Sequence, residues 1–464
     1  MDQAKEWAIE QYGSVAFGDV RLTRRAIQIA GQMARRPGSS LPKQMRHWAS
    51  QKAAYRLLDN EAVTYQALCT PHWEKTRIQA GQGGKTVLMV QDITELDYTG
   101  HMETQGLGPI GNHCGQGLML HNTLAILPED RRVLGLAYQQ VWVREKVSHK
   151  QTESKAQRRR RIDRQSSRWG QAVVAIGAPP EGMRWVHVAD RESDIYAFIQ
   201  QTQAIGADFC IRIVQNRRLE VEEATQSEYL LEQLRRLPAM GYRDVDLPAS
   251  PGHAKRRARL ALSWQAVRLH SPRMDAGPGT TFQAWALRTW EEQPAQGIPP
   301  LEWLLLTSVP VNHLADAEER LAWYTCRWIV EEYHQCLKTG CAMEQSQLRD
   351  GQRLERLLGF LAILAVRMLQ LRDLARTHPD QPAIHTVQPI LVQIMAQFEH
   401  LDPQTMTTQT FWHAVAKIGG FPGRRSDREP GWKRLWDGWL QLLNWVEGAR
   451  LVANLPPLRD VGNP

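Results

Sequence analysis

The chain has few closely spaced cysteines, no very long apolar run and no net negative charge. Its six cysteines include no C-x-x-C pair, which excludes the common zinc modules and favours reduced thiols. No run approaches the length of a membrane span, and the polar start, MDQAKEWAIEQYG, contains no apolar signal core. We therefore expect a soluble, cytoplasmic protein with no membrane association.

The charge balance is basic. Lys and Arg number 57 against 49 Asp and Glu, so the formal net charge is +8 and the pI is about 9.2. Such a balance favours a polyanionic partner. The length of 464 residues is long for one core and predicts two to four folded domains.

Periodicity and composition divide the chain into five segments. Both ends are helical, and the middle alternates between strands and helices around a stretch rich in β pattern, Pro and Gly. The predicted segments are a helical domain at 1–78, the first part of an α/β core at 79–215, a mainly β insertion at 216–300, the second part of the core at 301–345 and a helical domain at 346–464.

The first part of the core begins with a short buried strand, from Lys85 to Gln91, that we expect to end at Asp92. A glycine-rich loop at 106–117 and two antiparallel strands follow, then a helix, a strand that ends at Asp190 with a helix starting near Asp194, and a further strand. Strands and helices in this order, with carboxylates after the first and fourth strands, predict a ribonuclease-H-like catalytic core. The fold class is therefore α/β, with a β insertion and helical terminal domains.

The segment YTCRWIVEEYHQCLK places Tyr324, Arg327, Glu331 and Lys338 on one stripe of a long helix predicted from Ala315 to Lys338. The guanidinium and the ammonium suit phosphate oxygens, and the carboxylate suits a hard divalent cation. This combination points to phosphodiester chemistry. The alternative is an amphipathic helix whose charged face meets water.

Asp92, Asp190 and Glu331 are the candidate ligands of two Mg²⁺ ions, which together can hold the attacking and the leaving oxygen of a phosphodiester. Each has rivals nearby in the chain: Glu95 and Asp97 for the first, Glu192 and Asp194 for the second, and Glu332 for the third. A turn residue at a strand end is the alternative for Asp92, and an Asx turn that starts a helix is the alternative for Asp190.

Three weaker signals have simpler explanations. The run GLGPIG, Gly106 to Gly111, matches a dinucleotide fingerprint literally, but it contains a proline and a strand follows it, so we interpret it as a loop. The basic run Arg158 to Arg161 is either a solvated loop or a phosphate contact. Core or interface packing explains the helically spaced tryptophans first; these are Trp432, Trp436, Trp439 and Trp445.

The whole pattern resembles the insertion-sequence-four family of bacterial cut-and-paste DDE transposases, which carry a YREK signature. Tyr324, Arg327, Glu331 and Lys338 match that signature in order and spacing. Further matches run along nearly the whole chain: FGDVRLTRR, AYRLLDN, VQDITELDY with Asp92, VADRESDIYAFI with Asp190, EWLLLTSVP, and GGFPGRR with the tryptophan-rich helix. The sequence departs from the family after the signature, where Gln345 and Gln347 stand in a segment that is more basic in relatives.

The resemblance implies a set of roles. Asp92, Asp190 and Glu331 would be catalytic and would bind two Mg²⁺ or Mn²⁺ ions. DNA contacts would come from Tyr324, Arg327, Lys338 and Arg212, with Trp303 and Trp328 stacking on a flipped base. The N-terminal helices would bind the double-stranded terminal repeats of the element, with Arg21, Arg24 and Arg25 as candidates.

The same resemblance implies an excision that proceeds by nicking, hairpin formation, hairpin opening and strand transfer into target DNA. A homodimer in the synaptic complex, formed through the C-terminal helices, and a place in the bacterial cytosol also follow from it. Two alternatives remain at this point: a ribonuclease-H-like nuclease without strand transfer, and a DNA-binding derivative that has lost catalysis.

Overall fold

The computed structural model describes residues 3–111, 114–145, 165–220, 228–247, 256–272, 280–294, 297–298, 300–377, 379–424 and 430–453. These residues form two compact units. The first unit consists of Met1–His72, Leu96–Leu118 and Glu332–Pro464, and the second of Trp73–Glu95 and Met119–Glu331. The five segments predicted from the sequence stay a prediction. No helix in the described part of the chain is both long and apolar enough to cross a bilayer.

Helices dominate the first unit and strands dominate the second. The described α-helices are α1 Gln3–Tyr12, α2 Val20–Arg35, α3 Leu41–Met45, α4 Trp48–Asp59, α5 Tyr65–Ala80, α6 Arg168–Ile176, α7 Tyr196–Ala204, α8 Leu230–Arg236, α9 Leu314–Thr325, α10 Trp328–Gln335, α11 Gly351–Thr377, α12 Pro389–Glu399, α13 Thr408–Ile418 and α14 Trp432–Ala453. The described strands are β1 Thr86–Asp97, β2 Gly108–Ile110, β3 Gly115–Ile126, β4 Val133–Trp142, β5 Arg184–Ala189, β6 Asp208–Arg212, β7 Gly241–Leu247, β8 Arg256–His270, β9 Thr281–Glu291 and β10 Glu302–Thr307.

The sheet of the second unit runs in the order β3-β1-β5-β6-β10-β9-β8-β7, and β4 pairs with β3. The central strands β1, β5 and β6 are parallel. The strands from β6 through β10, β9 and β8 to β7 pair antiparallel. Because β1 and β5 run parallel and pair up to Val90 opposite Val188, the middle of β1 lies beside the carboxyl end of β5.

Helices α6 and α7 cover a face of this sheet. Trp169 and Val173 of α6 and Phe198 of α7 are buried in one cluster with side chains of β6, β8, β9 and β10. The apolar positions of these helices recur at helical spacing, as an amphipathic helix on a sheet requires. This packing gives the carboxyl edge a rigid support.

Helices form most of the first unit. Tyr12 of α1 donates a hydrogen bond to the carbonyl of Gly359 in α11 at 3.1 Å. Asp19 caps α2 by accepting a hydrogen bond from the Arg21 amide at 2.8 Å. Near the C-terminus, α12, α13 and α14 share a separate apolar core.

Two predicted strand boundaries are wrong. β1 does not end before Asp92 but continues to Asp97, because Ile93 packs against the core of the second unit and holds the backbone extended despite the low strand propensity of Asp. The loop predicted at 106–117 contains β2, whose residues pair with Gly115–Gly117 at the start of β3.

The long signature helix is also divided. α9 ends at Thr325 and α10 begins at Trp328. Between them the amides of Cys326 and Arg327 bond to carbonyls three residues earlier, at 3.0 Å each, so the backbone is tighter than an α-helix. After α10 the chain forms a π-helical turn, Cys336–Gly340. The four signature residues therefore do not occupy one continuous helical stripe.

Candidate active site

Asp92 and Asp190 lie at matching positions beside each other. The parallel pairing of β1 with β5 extends to Val90 opposite Val188, and each aspartate comes two residues later in its own chain segment. The Asp190 carboxylate accepts a hydrogen bond from the Glu192 amide at 2.8 Å and caps a short turn. The Asx turn that was the alternative for Asp190 is therefore present, and it holds the carboxylate in place.

Arg327 connects the first aspartate to the signature helix. Its guanidinium lies 3.3 Å from the Asp92 carboxylate and 2.7 Å from the Glu331 carboxylate. The tight turn after α9 projects Arg327 toward β1, and α10 places Glu331 one turn further on. The guanidinium also lies over the ring of Trp328, 4.9 Å from its centroid. One cation thus binds two of the three predicted catalytic carboxylates.

The Asp92 carboxyl has an unusual proton affinity. Burial raises its pKa to about 7, and the negative charges of Asp190 and, to a smaller extent, Glu331 act in the same direction. The charge of Arg327 and the hydrogen bond from the Ile93 amide oppose this rise in pKa. Crowded carboxylates repel and stay partly protonated unless cations neutralise them, so the three predicted carboxylates influence each other in this structure.

The rival carboxylates have other partners. Glu95 lies 3.4 Å from the Arg144 guanidinium. Glu192 is half-buried, and burial together with the nearby Asp190 charge raises its pKa. Asp97, which belongs to the first unit, accepts hydrogen bonds from the amide and hydroxyl of Thr99 at 2.8 and 2.6 Å.

Asp194, the rival of Asp190 in the sequence, is a structural residue. Its side chain is completely buried, forms an ion pair with Arg217 and accepts hydrogen bonds from the amides of Val214 and Gln215, both at 2.7 Å. These contacts tie the turn after Asp190 to the segment that follows β6. The sequence shows only that a second aspartate stands four residues after Asp190. It does not show which of the two aspartates forms an ion pair with an arginine.

Aromatic and basic side chains surround the same edge of the second unit. Trp303 meets Tyr324 edge to face, with ring centroids 5.4 Å apart. Burial raises the pKa of the Tyr324 phenol, so the hydroxyl keeps its proton. Arg212 donates a hydrogen bond to the carbonyl of Glu302, next to Trp303, at 3.4 Å, and Trp328 is half exposed. The structure thus brings Trp303 and Tyr324 into contact, with Arg212 bonded beside them.

Lys338 belongs to the first unit, whereas the other signature residues belong to the second. It stands in the π-helical turn, and its ammonium lies 3.5 Å from the Glu344 carboxylate. Its charge also helps to lower the pKa of Asp97, after the larger effect of hydrogen bonds from Thr99. The predicted role of Lys338 at the carboxylate site stays a prediction.

The predicted N-terminal arginines are exposed on α2. Arg21 forms a surface ion pair with Asp19 at 2.8 Å. Arg24 and Arg25 follow on the same helix, whose opposite face is buried. The basic run 158–161 and the side chain of Trp432 lie outside the described residues.

A basic cavity in the first unit was not predicted. It has a volume of about 630 Å³, and Arg36, Lys43, Arg46 and Asn444 are among its lining residues. Glu447 of α14 forms ion pairs with both arginines. The arginines are visible in the sequence, but their partner lies about four hundred positions away, and no local pattern links the two.

The carboxylate edge fits hard divalent cations by its chemistry. Asp92, Asp190 and Glu331 offer oxygen donors, the kind that Mg²⁺ prefers, and burial together with the charges of Asp190 and Glu331 raises the pKa of Asp92. Within the ranges described, however, no three His, Cys, Asp or Glu side chains are arranged to hold one ion. Arg327 supplies the positive charge at this edge instead.

Two family models match the chain. Residues 186–367 match the transposase DDE domain, and residues 4–63 match the transposase DNA-binding domain. The first match covers Asp190 and the whole YTCRWIVEEYHQCLK segment, and it implies a ribonuclease-H-like core that generally acts with divalent metal ions. The second covers α1–α4 with Arg21, Arg24 and Arg25. Together they identify a transposase DNA-binding domain followed by a transposase DDE domain, which supports a DDE transposase.

Proposed function

We propose that the protein is a Mg²⁺-dependent cut-and-paste transposase with a YREK signature. It would excise an element by nicking, hairpin formation and hairpin opening, and then join it to target DNA. The observation that carries the proposal is the arrangement of the carboxylates: Asp92 and Asp190 each follow by two residues the paired Val90 and Val188, and Arg327 contacts both Asp92 and Glu331. The match of residues 4–63 to a transposase DNA-binding domain, and the match of residues 186–367, which include Asp190 and Glu331, to a DDE domain support the DNA chemistry.

Asp92, Asp190 and Glu331 would hold two Mg²⁺ or Mn²⁺ ions. When bound, such ions activate a water or a 3′-hydroxyl and stabilise the leaving oxygen. Asp92 must lose its proton to bind a cation, and its pKa of about 7 places this loss near neutral pH. Arg327 must release at least one of its two carboxylates, which frees its guanidinium for a DNA phosphate.

The remaining signature side chains would hold the DNA strand. Arg212 and Lys338 are the proposed phosphate contacts, and Tyr324 is the proposed hydrogen-bond donor. Trp303 and Trp328 are the proposed platforms for a flipped base. The half-exposed ring of Trp328 supports this role because a stacking platform needs an open face.

The DNA-binding segment would recognise the terminal repeats through the exposed face of α2. Arg25→Ala is expected to weaken binding to the element end and to reduce the salt slope by about one, as for loss of one phosphate contact. The measurement is the binding constant at several salt concentrations, and an unchanged slope would remove Arg25 from the interface. A homodimer at synapsis and a bacterial cytosolic location are parts of the same proposal.

The central experiment uses purified protein and a fluorescent DNA end with and without Mg²⁺. Asp92→Asn, Asp190→Asn and Glu331→Gln are each expected to lower cleavage by at least about 1,000-fold, equivalent to about 4 kcal/mol in the barrier, while binding to the end stays intact. The matched controls are Glu95→Gln, on the same strand as Asp92, and Glu332→Gln, next to Glu331. Near-normal strand transfer by one of the first three variants would remove that residue from the set.

The products of the same assay separate the proposed function from its alternatives. A transposase gives hairpins and joined target products, whereas a nuclease gives cleavage without joining. A catalytically inactive DNA-binding protein gives neither product at any divalent ion concentration.

Trp303→Ala tests the stacking role in the same assay. Loss of a base–aromatic stack costs about 1–3 kcal/mol, and we expect hairpin formation to slow accordingly while the first nick keeps its rate. Trp290→Ala on the adjacent strand, where Trp290 pairs with Glu302, is the control. Equal slowing of both steps in Trp303→Ala would exclude a specific stacking role.

A further inference from the structure

Three sulfur atoms, those of Cys336, Cys341 and Met368, meet in the first unit. The thiols of Cys336 and Cys341 both donate to the thioether of Met368, with sulfur–sulfur distances of 3.9 and 3.6 Å. The three residues are 0, 2 and 5% exposed. Two thiols therefore converge on one thioether inside the protein.

The backbone explains this convergence. In the π-helical turn Cys336–Gly340, the amide of Cys341 donates to the carbonyl of Cys336 at 2.8 Å, which brings the two cysteines to the same part of the turn. Met368 comes from α11. The next residue after Cys341, Ala342, has a positive φ of 53°, a conformation that is uncommon for a residue with a side chain. π-Helical turns occur frequently at functional sites.

The two distances from the cysteine sulfurs to the Met368 sulfur fit a three-coordinate metal ion. Three sulfurs bound at about 2.3 Å around one ion in a plane lie about 4 Å from each other, and the two distances to Met368 are 3.9 and 3.6 Å. Thiolate and thioether ligands select soft ions such as Cu⁺ over Mg²⁺ or Ca²⁺. A small movement of side chains would thus place such an ion among the three sulfurs.

A contact with a backbone carbonyl is common to four of the buried cysteines. The Cys336 thiol lies 3.5 Å from the carbonyl oxygen of Ala365, and the thiols of Cys69, Cys210 and Cys326 lie 3.9, 3.7 and 3.6 Å from such an oxygen. Cys69, Cys210 and Cys326 are matched controls for cysteine burial, because each of their thiols lies against one of these carbonyls.

We propose that Cys336, Cys341 and Met368 form a binding site for one soft monovalent ion, Cu⁺ or Ag⁺. Binding would form two metal–thiolate bonds and one metal–thioether bond. The two thiol protons pass to solvent, and no electron is transferred. The turn that carries both thiols also carries Lys338, so an ion here would fix the backbone around that residue. The site does not depend on the proposed transposase activity.

The test is an anaerobic competition between the reduced full-length protein and a coloured Cu⁺ chelator. All variants carry Cys114→Ser, because Cys114 is exposed and would bind Cu⁺ by itself. We expect the protein to withdraw one Cu⁺ per chain. Cys341→Ala is expected to weaken binding by at least about 100-fold, the upper end of what loss of an outer-shell partner costs at a metal site.

Met368→Leu tests the thioether with little change in volume, a substitution that cores tolerate. We expect it to weaken Cu⁺ binding about 10-fold with an unchanged unfolding midpoint of the metal-free protein. Cys69→Ala and Cys210→Ala should leave the affinity unchanged. Withdrawal of no Cu⁺ by the parent protein, equal affinity in Cys341→Ala, or equal affinity in Met368→Leu would each overturn the three-sulfur site.

Discussion

Gln91 and Asp92 are neighbours on β1, yet their side chains have opposite surroundings. Gln91 is completely buried, and its amide lies 2.7 Å from a ring nitrogen of His187 on β5. Asp92 is partly exposed and faces the Arg327 guanidinium. Successive residues of a strand point to opposite faces of the sheet. Gln91 therefore faces a buried polar patch that contains His187, whereas Asp92 faces the candidate active site.

Burial shifts the pKa of Asp92 and the pKa of the buried histidines in opposite directions. It raises the pKa of Asp92 to about 7 and lowers the pKa of both His187 and His121 to about 3, since it disfavours the charged form of each group. Asp92 lies against the oppositely charged guanidinium of Arg327, whereas the charge of Arg168 acts with burial to lower the pKa of His121. The histidines stay neutral at physiological pH, whereas Asp92 can change its charge when a cation arrives. The comparison indicates that access to a counter-ion, and not burial alone, distinguishes a reactive carboxylate.

The largest stability effect is expected at Asp194, which is as buried as the histidines but carries a charge. Asp194→Ala leaves the Arg217 guanidinium without its carboxylate, and breaking such a pair costs about 3–5 kcal/mol. The measurement is urea unfolding at pH 7. Asp244→Ala, which removes an exposed pair with Arg257, is the control and should cost no more than about 1 kcal/mol. Equal losses in the two variants would contradict the buried pair.

A smaller effect of opposite sign is expected at Asp92. Its folded pKa lies above the unfolded value, so its contribution to stability is present at low pH and is lost as pH rises from about 4 to about 7. Asp92→Asn should therefore stabilise the divalent-free protein at pH 8, by up to about 4 kcal/mol, and should have little effect at pH 4. Thermal unfolding at the two pH values checks this, with Glu95→Gln as control. Destabilisation at pH 8 would mean that Arg327 compensates the charge fully.

The buried histidines His121 and His187 are expected to give the reverse dependence of stability on pH. The folded pKa of each histidine is near 3, below the unfolded value near 6.5. Each histidine therefore lowers the free energy of unfolding as pH falls, by about 1.4 kcal/mol per pH unit. His121 packs edge to face on Trp169 at 5.2 Å, so His121→Phe keeps an aromatic contact. We expect urea unfolding between pH 7 and 4.5 to become less pH-dependent in this variant.

The exposed His47 provides the control for the histidine prediction. His47→Gln should leave the pH dependence of unfolding as it is in the parent protein. If His121→Phe and the parent protein lose stability in parallel as pH falls, the burial of His121 does not cause the loss of stability at low pH.

The local pattern of the sequence was enough to predict the strands that bear Asp92 and Asp190, because apolar and β-branched residues mark buried strands. It did not predict that β1 continues past Asp92, since Ile93 is held by distant core residues. The same holds for the break before α10, where Arg327 bonds to β1, a strand more than two hundred residues earlier.

The roles of individual carboxylates were partly predictable. Spacing selected Glu331, and the structure places it against the same guanidinium as Asp92. Nothing local separated Asp194 from Asp190, because the distinction depends on Arg217 and on amides after β6. The pairing of Arg36 and Arg46 with Glu447 was equally hidden, since it joins the two ends of the chain.

The most direct test of the carboxylate site is the number of Mn²⁺ ions bound by the protein on a DNA end, counted by electron paramagnetic resonance. We expect about two bound ions per chain for the parent protein, and a loss of both ions in the Asp92→Asn, Asp190→Asn, Glu331→Gln triple variant. An equal count in the two proteins would contradict this expectation.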